Sequence, residues 1–368
     1  MHLGRGGSGE EIFLHGDSLI VLFPAPRRVV STARLNGGYR EDIKAVFNHH
    51  VPPCSHGHDP KTLPGRSWEG YLAYTAQELG LSPKHSVGLL TAARMENASC
   101  KSERYRNLEV TAIVTAGVDV NGGRAGDPAR YYEEEGKWIF VGGTINIILL
   151  INGNLPPHTL VRSVVTATEA KAAALQELMV PSRYSRGLAT GSGTDQIVAV
   201  ADQESPYRFS DAGKHSKLGE LIGAVVKEAV KEALEKETGL NAQRQKNFLV
   251  RLQRYNLGPE EFWQQAEKEG GNLAREAYLS RLNQLAREEK MVALTAALLH
   301  LLDEQEWGLL SQEAVKEIGC RLISSYLPVE APQKTVKNPA DDLLRLLVRG
   351  VNRLISSWGQ LPSGRALS

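Results

Sequence analysis

Residues 47–60 read FNHHVPPCSHGHDP, which places His49, His50, Cys54, His56, His58 and Asp59 within one short segment. All six side chains can bind a metal ion, and a zinc held there could activate water for hydrolysis. The spacing, however, fits neither C-x-x-C nor a paired H-x-x-x-H zinc arrangement. Residues 52–59 have the composition of a loop, so no metal is assigned. A site built on Cys54, His56 and His58 stays open as the second reading.

A different kind of chemistry recurs along the chain. Apolar runs end again and again in Asn, Gly, Thr and Asp: Leu35-Asn36-Gly37-Gly38, Phe47-Asn48, Leu90-Thr91, the stretch from Thr115 through Asn121 to Asp127, Gly142-Gly143-Thr144-Ile145-Asn146, and Thr190-Gly-Ser-Gly-Thr194-Asp195. Glycine permits close backbone approach, while Asn and Thr offer both donors and acceptors. One such end would be read as turn chemistry. Their repetition points to a shared polar site at the ends of strands on a rigid scaffold.

Other machinery is missing. Gly213-Lys214 is followed by His215 instead of Ser or Thr, so no phosphate-binding loop is present, and the glycine-rich run 187–194 has no lysine. Thr190 stands where a nucleophile elbow around Ser192 needs glycine. Neither H-E-x-x-H nor D-x-H-x-x-G occurs.

The elements that must carry these residues change character near residue 240. Before it, β-branched runs such as IKAVFNHHV, LEVTAIVTAGVDV and DQIVAVAD predict strands, and WIFVGGTINIILLI (138–151) predicts a buried strand or strand pair. Helices are expected over 67–80, 159–178 and 216–239, the last with Ser216 as N-cap and Gly239 as its stop. After it nearly everything reads as helix, through a proline-bearing linker (328–340) to a last helix carrying Arg345, Arg349 and Arg353. That helix is expected to dock on its neighbours in preference to a membrane surface. The fold class is therefore α/β (mixed α+β) over 1–240, with an all-α C-terminal extension over 241–368.

Bulk properties narrow the partners. With 43 Lys+Arg against 42 Asp+Glu, the net charge of +1 gives no electrostatic case for nucleic acid. No stretch has the length of a membrane span or the apolar core of a signal peptide. The 3 cysteines, Cys54, Cys100 and Cys320, are odd in number and dispersed, which suits a reducing cytoplasm.

Six blocks taken together resemble the adenosylcobinamide amidohydrolase family of corrinoid salvage enzymes. They are STARLNGGYREDIKAVFNHHV (31–51), VGLLTAARMENAS (87–99), VTAIVTAGVDVNGGRAGDP (110–128), GGTINIILLINGNLPPHTLVRSVVTATEAKAAALQEL (142–178), GSGTDQIVAVAD (191–202) and DAGKHSKLGELIGAVV (211–226). The resemblance covers about residues 10–238 and leaves the helical part outside. It implies hydrolysis of adenosylcobinamide at the amide joining its aminopropanol arm to the corrin ring, giving adenosylcobyric acid and 1-amino-2-propanol. The corrinoid would be the substrate, so no cofactor is required. A non-catalytic corrinoid-binding module, or an amidase of the same fold with another substrate, would share these loops.

The resemblance assigns no nucleophile, so roles come from chemistry. Amide hydrolysis needs an activated nucleophile, donors for the oxyanion and an acid for the departing amine. Asp195, Asp127 and Glu96 are the candidate carboxylates, each with a turn or ion-pair role as the competing reading. Thr194 or Thr144 is a candidate nucleophile, and His215 a candidate proton donor or helix cap. Asn36, Asn48, Thr91, Asn121, Thr144 and Asn146 are candidates for binding the substrate. Glu169 and Lys171, two apart on a helix, cannot share a face, so at most one of them looks into the site.

Overall fold

A computed structural model describes residues 1–52, 60–129, 144–330 and 339–357. The chain divides into two compact units, Met1–Asn241 and Ala242–Ser368. In the first, the elements in chain order are β1 (His2–Arg5), β2 (Glu11–His15), β3 (Ser18–Ser31), β4 (Gly38–His50), α1 (Trp68–Glu78), β5 (Ser86–Thr91), β6 (Ser99–Tyr105), β7 (Leu108–Ala116), β8 (Gly122–Gly123), β9 (Ile145–Ile151), α2 (Pro157–Glu177), β10 (Gly191–Ser192), β11 (Gln196–Ala201) and α3 (Lys217–Thr238). The expected mixed α/β class is what the chain adopts. Of the 138–151 run, residues 145–151 form β9 and residues 138–143 lie outside the described residues.

Among the described residues, one sheet runs β1-β2-β3-β11-β9-β7-β6, with β4 paired to β3 and β5. Strand β3 makes this branching possible. Pro24 and Pro26 cannot donate to a ladder, and the β3–β4 register shifts between Leu22 and Arg27. Before the break β3 pairs with β2; beyond it, Arg28–Ser31 pair with β11. The β4–β5 wing thus lies against the β7–β9–β11 wing, with Val46, Val87 and Leu89 packed on Ile113, Ile148 and Val198.

Alternation then sorts every residue. On β9, Ile145, Ile147, Leu149 and Ile151 pack with α2 and α3, while Ile148 and Leu150 fill the layer between the wings. With both faces covered, the whole strand is buried, as its continuous apolar sequence requires. Strands β9 and β11 are parallel neighbours joined through α2. On the other wing, Phe47 packs outward on Leu72 and Ala76 of α1.

Helix α3 begins and ends where its sequence says it should. Ser216 Oγ accepts from the Gly219 N–H at 3.0 Å, and Gly239 closes the helix at φ 67°, a conformation glycine adopts without a Cβ clash. On its surface Glu232 is bonded to Lys101 of β6 and to Lys236. Those two bonds pull its carboxyl from 4.5 down to about 2. A carboxyl held lower in the folded than in the unfolded chain stabilises above the unfolded value, and the gain disappears as pH falls from about 4.5 to about 2. Glu232→Gln is therefore expected to lower the urea midpoint at neutral pH. The gap to the parent protein should narrow over that acid window, and a gap that does not change with pH would contradict the assignment.

The second unit contains α4 (Ala242–Gln245), α5 (Phe248–Leu252), α6 (Pro259–Lys268), α7 (Arg275–Leu285), α8 (Glu289–Glu306), α9 (Gln312–Tyr326) and α10 (Pro339–Ser356). Phe248, Phe262, Leu298, Val315, Ile323, Leu343, Leu347 and Val351 are among its core residues. Helix α10 docks on this core. Tyr278 OH donates to Asn352 Oδ1 at 2.5 Å, and Arg345, Arg349 and Arg353 are left on its exposed side. Within the core, the Arg254 guanidinium binds both oxygens of Asp303. Among the described residues, no helix is long and apolar enough to cross a membrane.

Candidate active site

The layer between the two wings is apolar until its last row. There the inward-facing positions become Asn48 on β4, Thr91 on β5, Thr115 on β7 and Asn146 on β9, each at most 3% exposed. Buried amides must be hydrogen-bonded or cost stability, and these bond one another. Asn48 Nδ2 donates to Thr115 Oγ1 at 2.8 Å. Asn146 Nδ2 donates to Asn48 Oδ1 at 2.8 Å and to Leu90 O at 2.9 Å. Thr144 Oγ1 donates to Thr194 O at 2.6 Å and lies 3.3 Å from Asn146 Oδ1. Gln196, opening β11, accepts from Leu90 N at 3.2 Å and ties the wings together. The network occupies the C-terminal ends of β4, β5 and β7 and the N-terminal ends of β9 and β11.

Beside it stands Asp195. Its Oδ1 accepts from Ile145 N at 3.0 Å and from Ser192 Oγ at 2.6 Å. Its Oδ2 accepts from Ser192 N at 3.0 Å and from Lys171 Nζ of α2. Four donors fill the acceptor sites of a carboxylate. Asp195 therefore has no lone pair left to take a proton from water, and its role is to position the groups that converge on it. Of the two readings the sequence left for Asp195, base or ion-pair partner, the geometry favours the second. Gly191 passes so close that a Cβ there would stand 2.4 Å from Asp195 Oδ2 and 2.8 Å from Lys171 Nζ. Any larger residue there would displace the ends of both side chains.

The partner of Asp195 is the member that the sequence kept as an alternative to Glu169. Lys171 shares its helix face with Ala167, Ala174 and Leu175, which belong to the core packed on the sheet. Small residues there make room for the lysine stem. Glu169 faces outward and pairs with Lys214 at 2.9 Å. The usable signal was a lysine three and four residues from apolar positions in an alanine-rich helix. In the sequence Ser192 enters only as a nucleophile-elbow serine that is set aside, and Thr115 only as the start of a polar strand end, so neither is assigned to the site.

The remaining candidates are not brought into this cluster. Asn36 (φ 54°) gives its Nδ2 to Pro83 O and Ser86 O at 2.6 and 2.7 Å. It fastens a turn at the start of β5, about 13 Å along the strand from Leu90. Glu96 is exposed and lies 3.8 Å from Arg94. Asp127 accepts from Arg124 N at 2.7 Å and Ser182 Oγ at 2.5 Å. Desolvation opposes its charge, yet the bonds from Ser182, Ser185 and the Arg124 N–H hold its carboxyl below the usual value. It braces the loop behind the β8–β10 ribbon, in which Gly122 and Gly123 pair with Ser192 and Gly191. Asn121 is buried just before that ribbon.

His215 is exposed ahead of α3. The far end of that helix meets the site side through Glu237, which accepts from Asn97 Nδ2 at 2.8 Å. The neighbour of His215, Lys214, pairs with Glu169, two residues from Lys171 on α2, while His215 itself points to solvent. His49 turns outward, one residue from Asn48, and bonds Ser18 and Tyr71 at 2.8 and 3.1 Å. Burial holds its imidazole below the usual value. Cys54, His56 and His58 lie outside the described residues, and among the described residues no group of three or more His, Cys, Asp or Glu is placed to hold a metal.

Comparison with known proteins decides the family. The sequence pattern of the adenosylcobinamide amidohydrolases matches residues 7–242, which include the whole cluster. The chain belongs to that family. An adenosylcobinamide amidohydrolase of Methanosarcina mazei is 31% identical over 218 residues, covering 56% of this chain and 89% of that protein. An uncharacterised protein of Methanocaldococcus jannaschii is 34% identical over 232 residues, 60% of this chain and 86% of its own. Among solved structures, a Pyrococcus horikoshii protein aligns over 63% of this chain and 82% of its own, at 14% identity and a TM-score of 0.33. A Burkholderia beta-aminopeptidase aligns over 64% and 82%, at 13% identity and a TM-score of 0.31. Scores this low say nothing about the chemistry of this amidohydrolase.

Proposed function

We propose that the chain hydrolyses adenosylcobinamide at the amide between the aminopropanol arm and the corrin ring. The products are adenosylcobyric acid and 1-amino-2-propanol, and the reaction serves corrinoid salvage in the cytoplasm. The observation that carries this reading is the buried polar row Asn48–Asn146–Thr144 meeting the Lys171–Asp195 pair. Burying an ion pair costs several kcal/mol that an apolar replacement would spare. Such a group inside the family-matched region is best explained by chemistry performed there.

The corrinoid is the substrate in this reading, and no added cofactor or metal takes part. Purified protein incubated with adenosylcobinamide in the presence of a chelator is expected to release both products, followed by mass spectrometry. Corrinoid binding without product would replace this reading with a non-catalytic binding module. Neither binding nor product, with turnover of a different amide, would redirect it to another substrate.

A further inference from the structure

We infer that Lys171 is a catalytic residue, its ammonium group hydrogen-bonding the oxyanion that forms when the substrate amide is attacked. The inference rests on the amide-hydrolase reading above and assigns the group that stabilises its transition state.

Four observations meet at this side chain. Lys171 is 6% exposed, so its charge sits where electrostatic interactions are weakly screened. Among the described residues its Nζ makes a single hydrogen bond, to Asp195 Oδ2. An ammonium carries three N–H donors, so two are left for a ligand. A lysine kept only for structure is expected to spend those donors on backbone carbonyls. Gly191, lacking a Cβ, lets the backbone pass close against Lys171 Nζ and Asp195 Oδ2 without displacing either. Finally, Asp195 is saturated by Ile145 N, Ser192 N, Ser192 Oγ and Lys171. It fixes the ammonium in place without competing for the substrate's proton.

The step balances without a further reactant. A water oxygen bonds to the amide carbon, and the carbonyl π pair moves onto oxygen, where a Lys171 N–H receives it. The pair returns as the carbon–nitrogen bond breaks. Both protons of the water end on the departing amine nitrogen, one as the carbon–nitrogen bond breaks and one from the carboxylic acid then formed, leaving a carboxylate and an ammonium. Preorganised donors of this kind contribute by being in place before charge develops.

Lys171→Met keeps most of the apolar stem and removes the charge. It is expected to lower kcat by about 10²- to 10³-fold, with a much smaller change in KM, because the bond is made in the transition state. Lys171→Ala opens a space at the same point, and added ethylammonium is expected to restore its rate at least about tenfold, through the same donor role. Activity of Lys171→Met within about threefold of the parent would overturn the proposal, since loss of one oxyanion donor has a far larger effect. Unrescued loss in Lys171→Ala, with Lys171→Met both inactive and unable to bind the corrinoid, would assign Lys171 to holding Asp195 alone and overturn it too. An inactive parent protein would overturn the functional reading and this inference together, whereas an active parent beside an active Lys171→Met overturns only this one.

Discussion

Asp195→Ala is expected to abolish adenosylcobinamide hydrolysis and to weaken the N-terminal unit by about 3–5 kcal/mol, the cost of leaving a buried charge without its partner. The carboxylate receives Lys171 Nζ, Ser192 Oγ, Ser192 N and Ile145 N, so one truncation frees groups from three segments at once. Asp195→Asn separates the two effects. Its Oδ1 can still accept from Ile145 N and Ser192 Oγ, but its amide N–H groups would face two donors, Lys171 Nζ and Ser192 N. It should fold better than Asp195→Ala and still lose activity. Urea unfolding and product release, measured on both variants, test this. Full activity in either variant would remove Asp195 from the positioning role.

The second large effect lies in the helical unit. The side chains of Arg254 and Asp303 are 3% and 11% exposed, and their contact is two-pronged. Asp303→Ala removes the carboxylate partner of a buried guanidinium, which costs about 3–5 kcal/mol. Native-state hydrogen exchange should read that as roughly 10²- to 10⁴-fold faster exchange of α5 and α8 amides that open with this core. Exchange in β7 and β9 should stay unchanged. A uniform increase across both units would show that they do not open separately. Replacing both partners with apolar residues is expected to recover most of the loss, since a buried pair is often no better than a packed core.

Much of the fold was legible because it depends on local pattern. Ser216 and Gly239 bound α3 as their types demand, and the unbroken INIILLI run announced a strand covered on both faces. Part of the site was legible for the same reason, since Asn48 and Asn146 stand at strand ends where an apolar alternation turns polar. What could not be read was which strand ends meet. Asn36 and Asn48 flank the same strand, yet only the bend at Pro24–Pro26 and the pairing of β4 with β5 decide that Asn48 faces Asn146. His49, the next residue, faces away from the site because a one-residue step reverses the face of a strand. Lys171 was hidden because a helix facing a sheet reveals a functional lysine only after the partner carboxylate is in place.

The route by which the chain reaches this arrangement follows from the β9–α2–β11 crossover. The bond between Lys171 and Asp195 spans 24 residues and that between Ile145 and Asp195 spans 50. By contrast, Asn48 is 67 residues from Thr115 and 98 from Asn146. Closing the longest of these loops costs about 1 kcal/mol more chain entropy than closing the shortest. The charged half of the site is thus a product of one compact crossover, while its amide half exists only once distant segments have been zipped together. The charged pair is tied to a local unit of the chain, and the asparagine row to pairings made across most of the domain.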